Sequence, residues 1–289
     1  MTEFDRFVAV DWSGAKGLRQ KGIAVASCGS GRGTPMLVTA PDGRAWSRQG
    51  VMDWLNREAT GKRLLAGFDF SFGAPFEDEE AFFPGASLTA KDAPSLWLEI
   101  ENICRDEPHL GASGLPQHGE FSRFFQSQEG EITIRGAEFA PRLRVTERLC
   151  HDQGLGKAET LFNLIGARQV GKASLTGMRA LLRLEGFDIW PFDEPSPGRS
   201  CAIEIFTRIC LIMAGAGHKK LRDAESLDRA LKALECEPSG LRGKLDDHAT
   251  DAMVSAAALR VMAGRSKYWQ PAALSDRVRR TEGWTFGVL

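Results

Sequence analysis

The sequence predicts an α/β fold: a mixed sheet flanked by helices, with a long, mostly helical insertion after the fourth strand. Three observations carry this expectation. Short apolar runs long enough for one buried strand each lie near both ends of the chain, at Phe7–Val10, Leu64–Phe68 and Ala202–Phe206. Segments with apolar residues at helical spacing alternate with them, the pattern of a sheet covered by helices. The middle of the chain reads differently. It combines acidic and aromatic residues (Phe76-Glu-Asp-Glu-Glu80, Phe82-Phe83), a Gly/Pro/His-rich segment at Leu110–Gly119 and a basic stretch from Arg135 to Arg148.

Taken in order, Phe7–Asp11 is the first strand, and Ser13-Gly14 supplies the turn after it. Lys21–Cys28 places Ile23 and Val25 on one face of a second strand. Met36–Ala40 is a third, closed by the turn Pro41-Asp-Gly43. Val51, Trp54 and Leu55 mark a helix over Val51–Glu58, stopped by Gly61, and Leu64–Asp69 returns as a buried strand. Helices are expected at Pro94–Cys104 and Leu175–Leu184, the latter capped by Ser174. Ala202–Phe206 is a fifth strand, followed by helices around Leu227–Leu234 and Asp247–Met262. This organises residues 1–73 and 186–289 as the core and 74–185 as the insertion.

Composition narrows the function classes. With 37 basic against 38 acidic residues the formal charge is -1, whereas a general nucleic-acid binder is usually far more basic. Any nucleic-acid contact is therefore local. No stretch approaches the roughly 20 apolar residues of a membrane span, and Met-Thr-Glu-Phe-Asp-Arg is not a basic-then-apolar leader, so the expectation is a cytoplasmic protein. The six cysteines are scattered, with no C-x-x-C pair and no Cys/His cluster of zinc-ligand spacing.

Four acids stand where one site can collect them. Asp11 and Asp69 end apolar strands, Glu204 lies on the fifth strand, and Asp251 enters a nearly all-apolar helix. The carboxyl ends of neighbouring parallel strands face one crevice, and carboxylates gathered there repel one another unless a cation neutralises them. An Asp after a strand also serves simply as a turn residue bonding its own backbone, and Asp246 and Asp247 also suit a helix N-terminus. Asp251 needs a partner, because an unpaired buried carboxylate is costly. Asp247, His248 and Asp251 share one helix face by their spacing. Oxygen ligands without Cys or His suit Mg2+ or Mn2+. Two such ions about 4 Å apart perform phosphodiester hydrolysis, with Asp11 bridging them, Asp69 and Asp251 each holding one, and Glu204 completing the shell. Asp247 is a further ligand, and His248 positions water or substrate.

The order strand, strand, strand, helix, strand, insertion, strand, helix, with acids at these places, resembles the ribonuclease H-like fold of Holliday-junction resolvases, transposases and related nucleases. The run Asp246-Asp-His-Ala-Thr-Asp-Ala-Met-Val-Ser-Ala-Ala-Ala-Leu259 resembles the resolvase-type signature, a His or Asp three residues before an Asp-Ala and a small-residue helix. The chain is similar to a widespread family of predicted nucleases with this fold. The resemblance implies a metal-dependent nuclease. Two positions depart from the family pattern. Asp69 leads into Phe-Ser-Phe-Gly73 rather than a Pro-containing turn, and no proline follows Glu204 in Ile-Phe-Thr-Arg208.

A second constellation, Gly166-Ala-Arg-Gln-Val-Gly-Lys172, matches most of the phosphate-loop pattern but has Ala173 where a hydroxyl residue is required. It reads either as a glycine turn before a helix or as a local anion site in which Arg168 and Lys172 flank a helix amino terminus. Arg135, Arg142, Arg144 and Arg148 form another basic strip, and Trp12 beside Asp11 is a base-stacking candidate. Asp11-Trp-Ser-Gly14 also resembles the first phosphate turn of the actin and sugar-kinase group, which makes Ser13 a substrate-binding candidate. Three classes follow: a metal-dependent phosphodiesterase on nucleic acid or nucleotide, an ATP-dependent phosphotransfer enzyme of the actin/sugar-kinase type, or a non-catalytic nucleotide or nucleic-acid binding protein.

Overall fold

A computed structural model describes residues 3–129, 131–166, 169–217 and 219–289. The amino-terminal part forms β1 (Arg6–Asp11), β2 (Ala24–Gly29), β3 (Met36–Leu37), α1 (Arg48–Glu58) and β4 (Leu64–Phe68). The middle contributes α2 (Ala93–Ile103), α3 (Gly114–Gln117), the hairpin β5 (Gln126–Glu129) and β6 (Ile132–Arg135), α4 (Val145–Asp152) and α5 (Val170–Leu181). The chain then adds β7 (Phe187–Ile189), β8 (Ser200–Glu204), α6 (Thr207–Met213), α7 (Ala224–Ala233), α8 (Asp247–Ala263), α9 (Ser266–Trp269) and α10 (Asp276–Thr281).

The principal sheet has the order β3-β2-β1-β4-β8-β7. β2 runs antiparallel to β1 and β3 antiparallel to β2, while β4, β8 and β7 continue from β1 as parallel neighbours. β4 and β8 are buried along their whole length, which is why Leu64–Phe68 and the Cys201–Ile203 centre of β8 read as apolar runs rather than alternating ones. Alternation survives in where the side chains go. Val8 and Val10 pack with Leu96, Trp97, Leu175 and Met178 of the middle segment, whereas Phe7 and Ala9 face the other layer with Ala256 and Leu259. One face of the sheet is therefore covered by residues of 74–185 and the opposite face by α8.

α8 starts where Asp246 accepts hydrogen bonds from the backbone N–H groups of His248 and Ala249. Its small residues, Ala252, Ala256 and Ala257, are fully buried and let the helix lie close against β1 and β2. The fit is tightest over Gly67 of β4, where an added Cβ would stand 2.7 Å from Ile205 Cγ2 and Leu259 Cδ1.

Several expectations are corrected. β3 is two residues long, not five, although Val38 N–H still donates to Val25 O at 2.8 Å before the Gly43 turn. α5 begins at Val170, so Ser174 is not its cap. Ser174 is buried within the helix, and its Oγ accepts from Ser71 N–H at 3.1 Å. Within the helix, position 171 requires glycine, because a Cβ there would fall 2.0 Å from Leu161 O. The hairpin β5–β6 and the short β7 were not expected. Among the described residues, no helix is long and apolar enough to cross a membrane.

The Gly67 contact is testable. Gly67→Ala forces a methyl between Ile205 and Leu259 and is expected to cost about 1–3 kcal/mol by overpacking, read as a lowered urea midpoint with unchanged slope.

Candidate active site at the carboxyl edge of the sheet

Parallel pairing of β1 and β4 fixes the centre of the site. Val10 lies opposite Phe68, and Asp69 N–H donates to Val10 O at 3.1 Å. Asp11 and Asp69 therefore leave the sheet side by side, at the strand ends where ligands bind in such sheets. Both line a cleft of about 1030 Å³, together with Ser13, Lys16, Lys172 and His248.

Each acid has a partner. Asp11 Oδ2 lies 2.7 Å from His248 Nδ1, so the first turn of α8 reaches the end of β1. Asp69 Oδ2 accepts from Thr207 Oγ1 at 2.7 Å. Asp251 Oδ2 accepts from Lys220 Nζ at 2.7 Å, while its Oδ1 is buried with no hydrogen-bond partner among the described residues. Desolvation, then the charge of Asp11 and further the charge of Asp251, pushes the Asp69 carboxyl up to about 7 against the Thr207 hydrogen bond. Burial also raises Asp251 despite Lys220. The hydrogen bond to Asp11 holds His248 above the usual imidazole range.

Two of the expected ligands serve elsewhere. Glu204 is engaged by a buried guanidinium: Arg144 donates from Nη1 to Oε2 at 2.8 Å and from Nη2 to Oε1 at 2.6 Å. Phe72 N–H and Thr285 Oγ1 add 2.7 and 2.5 Å bonds to the same carboxylate. Arg144 also binds Glu147 Oε1 at 2.9 Å and Glu282 O at 2.9 Å. Glu204 thus joins the sheet to α4 and the carboxy-terminal segment, and its oxygens are occupied. Asp247 points outward and pairs with Arg222 at 3.1 and 3.3 Å. Among the described residues no three His, Cys, Asp or Glu side chains are gathered as a metal-ligand group. The acids stand as neighbours, each held by its own partner.

The substrate-binding candidates divide similarly. Ser13 lies in the turn after β1, where its Oγ accepts from Ala15 N–H at 3.3 Å and donates to Gln20 Oε1 at 3.4 Å. Lys172 is in the first turn of α5, and Gly14 packs so closely there that a Cβ would fall 2.2 Å from the Lys172 carbonyl carbon. Arg168 lies outside the described residues. The basic strip does not assemble: Arg144 is buried, Arg142 pairs with Asp78, and the Arg135 guanidinium covers Phe139. Trp12 is a core residue, packed on Phe68 and Phe70 with its Nε1 donating to Thr176 Oγ1 at 3.2 Å.

Sequence reasoning missed Arg48, Thr207 and Lys220. Arg48 is buried and donates to Ser13 O at 3.0 Å, to His109 O at 2.7 Å and to Ala15 O, fixing the turn beyond Asp11. Nothing around Arg48 in the sequence marks it as buried, and Lys220 sits in a basic pair that reads as solvated loop.

No family model, no curated protein and no solved structure matches this chain.

Two measurements test this geometry. Because the folded-state value of Asp69 is raised above the ~3.9 of an unfolded carboxyl, its ionisation opposes folding. The penalty is absent below about pH 4, grows as pH rises, and is complete above about 7. Metal-free Asp69→Asn is thus expected to be more stable than wild type at pH 8, by ~2–4 kcal/mol, with the advantage gone near pH 4. Separately, Glu204→Gln removes one of the two carboxylates paired with buried Arg144 and is expected to cost about 3–5 kcal/mol in a denaturant melt.

Proposed function

We propose that the protein is a metal-dependent hydrolase of phosphodiester bonds, acting on nucleic acid or a nucleotide, on a ribonuclease H-like sheet. The observation that carries this reading is that Asp11 and Asp69 leave adjacent parallel strands side by side at the cleft. There burial first, then the charges of Asp11 and Asp251, raises Asp69 to about 7, while the buried Asp251 Oδ1 has no hydrogen-bond partner among the described residues. Carboxylates that repel one another at a strand-end cleft favour a cation. The strand order β3-β2-β1-β4-β8, antiparallel on one side of β1 and parallel on the other, supports the fold assignment. Among the described residues there is one six-stranded sheet and one hairpin. The duplicated domain that an actin or sugar-kinase type enzyme needs finds no counterpart in them.

Asp11, Asp69 and Asp251 offer oxygen alone, the donor type of Mg2+ or Mn2+. They would have to close up from their present partners to hold such an ion, since the described residues form no ready-made ligand group; Glu204 and Asp247 would not take part. Such an ion, when bound, supplies the Lewis acidity that activates water and offsets phosphoryl charge. The chain's own groups complete the site. With Nδ1 of His248 on Asp11, its Nε2 remains to hold or take up a proton at the cleft. Lys172 and the amino end of α5, whose cap position Gln169 makes no side-chain hydrogen bond, line the cleft and offer positive charge to a substrate phosphate. Arg48 holds the intervening turn in place.

Asp11→Asn tests the reading directly. Mn2+-dependent cleavage of single-stranded, duplex and branched DNA and RNA, with bis(p-nitrophenyl) phosphate alongside, is expected to fall at least roughly a hundredfold, since an ion's contribution is several kcal/mol. The circular-dichroism spectrum and melt of the variant stay those of a folded protein. Equal turnover in variant and wild type would refute the assignment.

A further inference from the structure

The hairpin β5–β6 stands apart from the principal sheet, and its two edges differ. On the β5 side, Gln126 N–H donates to Phe162 O and Gln126 O accepts from Leu164 N–H, each at 2.9 Å. Gln126 lies opposite Arg135. In an antiparallel ladder two opposite residues turn their backbone groups either towards each other or both outward. Arg135 therefore points its N–H and C=O away from β5, and so, at steps of two residues, do Thr133 and Glu131. Among the described residues no strand lies beyond β6. All four residues of β6 are exposed, Ile132 at 71% and Ile134 at 42%. An open edge carrying two isoleucines is a template for another strand.

The sequence of this edge is complementary to itself. Side chains alternate along a strand, so Glu131, Thr133 and Arg135 share one face and Ile132 and Ile134 the other. Antiparallel pairing of two copies about a two-fold axis at Thr133 sets each Glu131 against Arg135 of the other copy, and each Ile132 against Ile134. Opposite charges directly across a ladder stabilise it, like charges weaken it, and the facing isoleucines leave water together. The outward backbone groups of residues 131, 133 and 135 are those that such a pair uses. Moving the axis to Ile132 or Ile134 loses both ion pairs, so backbone geometry and charge select the same register. Among the described residues Glu131 has no ion-pair partner, and the Arg135 guanidinium rests 5.0 Å over the Phe139 ring with no carboxylate on it.

We infer that the β6 edge binds a second copy of this chain, forming a two-fold dimer through a continuous four-stranded sheet, β5-β6-β6-β5. A closed two-fold contact uses the same patch on both copies, as this register requires, and four strands replace a hairpin that is marginal alone. The consequence reaches the cleft, which Ser127, Glu129 and Ile134 line. Ile132 of the second copy packs beside Ile134 and becomes part of that wall. The inference is independent of the chemistry proposed for Asp11 and Asp69.

Sedimentation equilibrium of the full-length protein, from micromolar to millimolar concentration, is expected to give twice the chain mass. Arg135→Glu sets glutamates against each other and is expected to weaken the dimer roughly tenfold or more. Adding Glu131→Arg to it restores the pairs with their signs exchanged, and the dimer with them. Thr133→Cys puts two thiols at the axis, where opposite Cα atoms are about 5.5 Å apart, within disulfide range. Oxidation is expected to link two chains there, whereas Glu131→Cys, off the axis, links none. The six native cysteines are buried and do not compete. Thr133→Cys decides the matter if Arg135→Glu disturbs the hairpin through Phe139. A wild type that stays monomeric throughout overturns the inference and leaves the edge to an extended segment of another protein. A dimer indifferent to Arg135→Glu, or unlinked at Thr133→Cys, overturns it too, because the contact then lies on another surface.

Discussion

The pairing of β1 with β4 is the constraint from which the site follows. Because the two strands are parallel and adjacent, with Asp69 N–H bonded to Val10 O, Asp11 and Asp69 are carried out of the sheet together. The sheet cannot separate them without losing register, and a slip of one residue would turn each strand's buried side chains to the wrong face. Their mutual repulsion is therefore built into the backbone, and the surrounding side chains answer it. His248 answers from the first turn of α8, Lys220 from the connection between α6 and α7, and Thr207 from the first turn of α6.

A second set of buried charges does structural work of a different kind. Arg144, 1% exposed, lies between Glu147 and Glu204, each 4% exposed, with Glu282 caught through its backbone oxygen. Every oxygen of Glu204 is satisfied, so burial there is tolerable. Two buried acidic centres thus lie along one cleft. One is closed by a guanidinium, and the other keeps, at Asp251, an oxygen with no hydrogen-bond partner among the described residues. That contrast separates scaffold from site more sharply than residue type does.

Most of the architecture is legible in the sequence because the information is local. Phe7–Val10 and Leu64–Phe68 are too short for helices and too apolar for loops, and Asp11 and Asp69 follow them directly. The all-round apolar character of Ala252–Met262 marks a buried α8 with Asp251 at its entrance. The hairpin β5–β6 is hard to read because Gln126–Glu129 is wholly polar and the alternation of Ile132-Thr-Ile-Arg135 covers only four residues, all exposed. Glu204 shows where local reading stops. A carboxylate on a buried strand looks the same whether it awaits a metal ion or a guanidinium 60 residues earlier. The missing proline after it was the one departure at that point. Lys220 illustrates the reverse case, since its partner is 31 residues away and only the fold joins them.

The most direct test of the central claim is a crystal of the wild-type protein soaked in Mn2+, with anomalous scattering recorded at the manganese edge. A metal-dependent site predicts a strong peak at bonding distance from Asp11 and Asp69, with the Arg144–Glu204 pair unchanged. A peak at Glu204 or Asp247, or none at the strand ends, would contradict it.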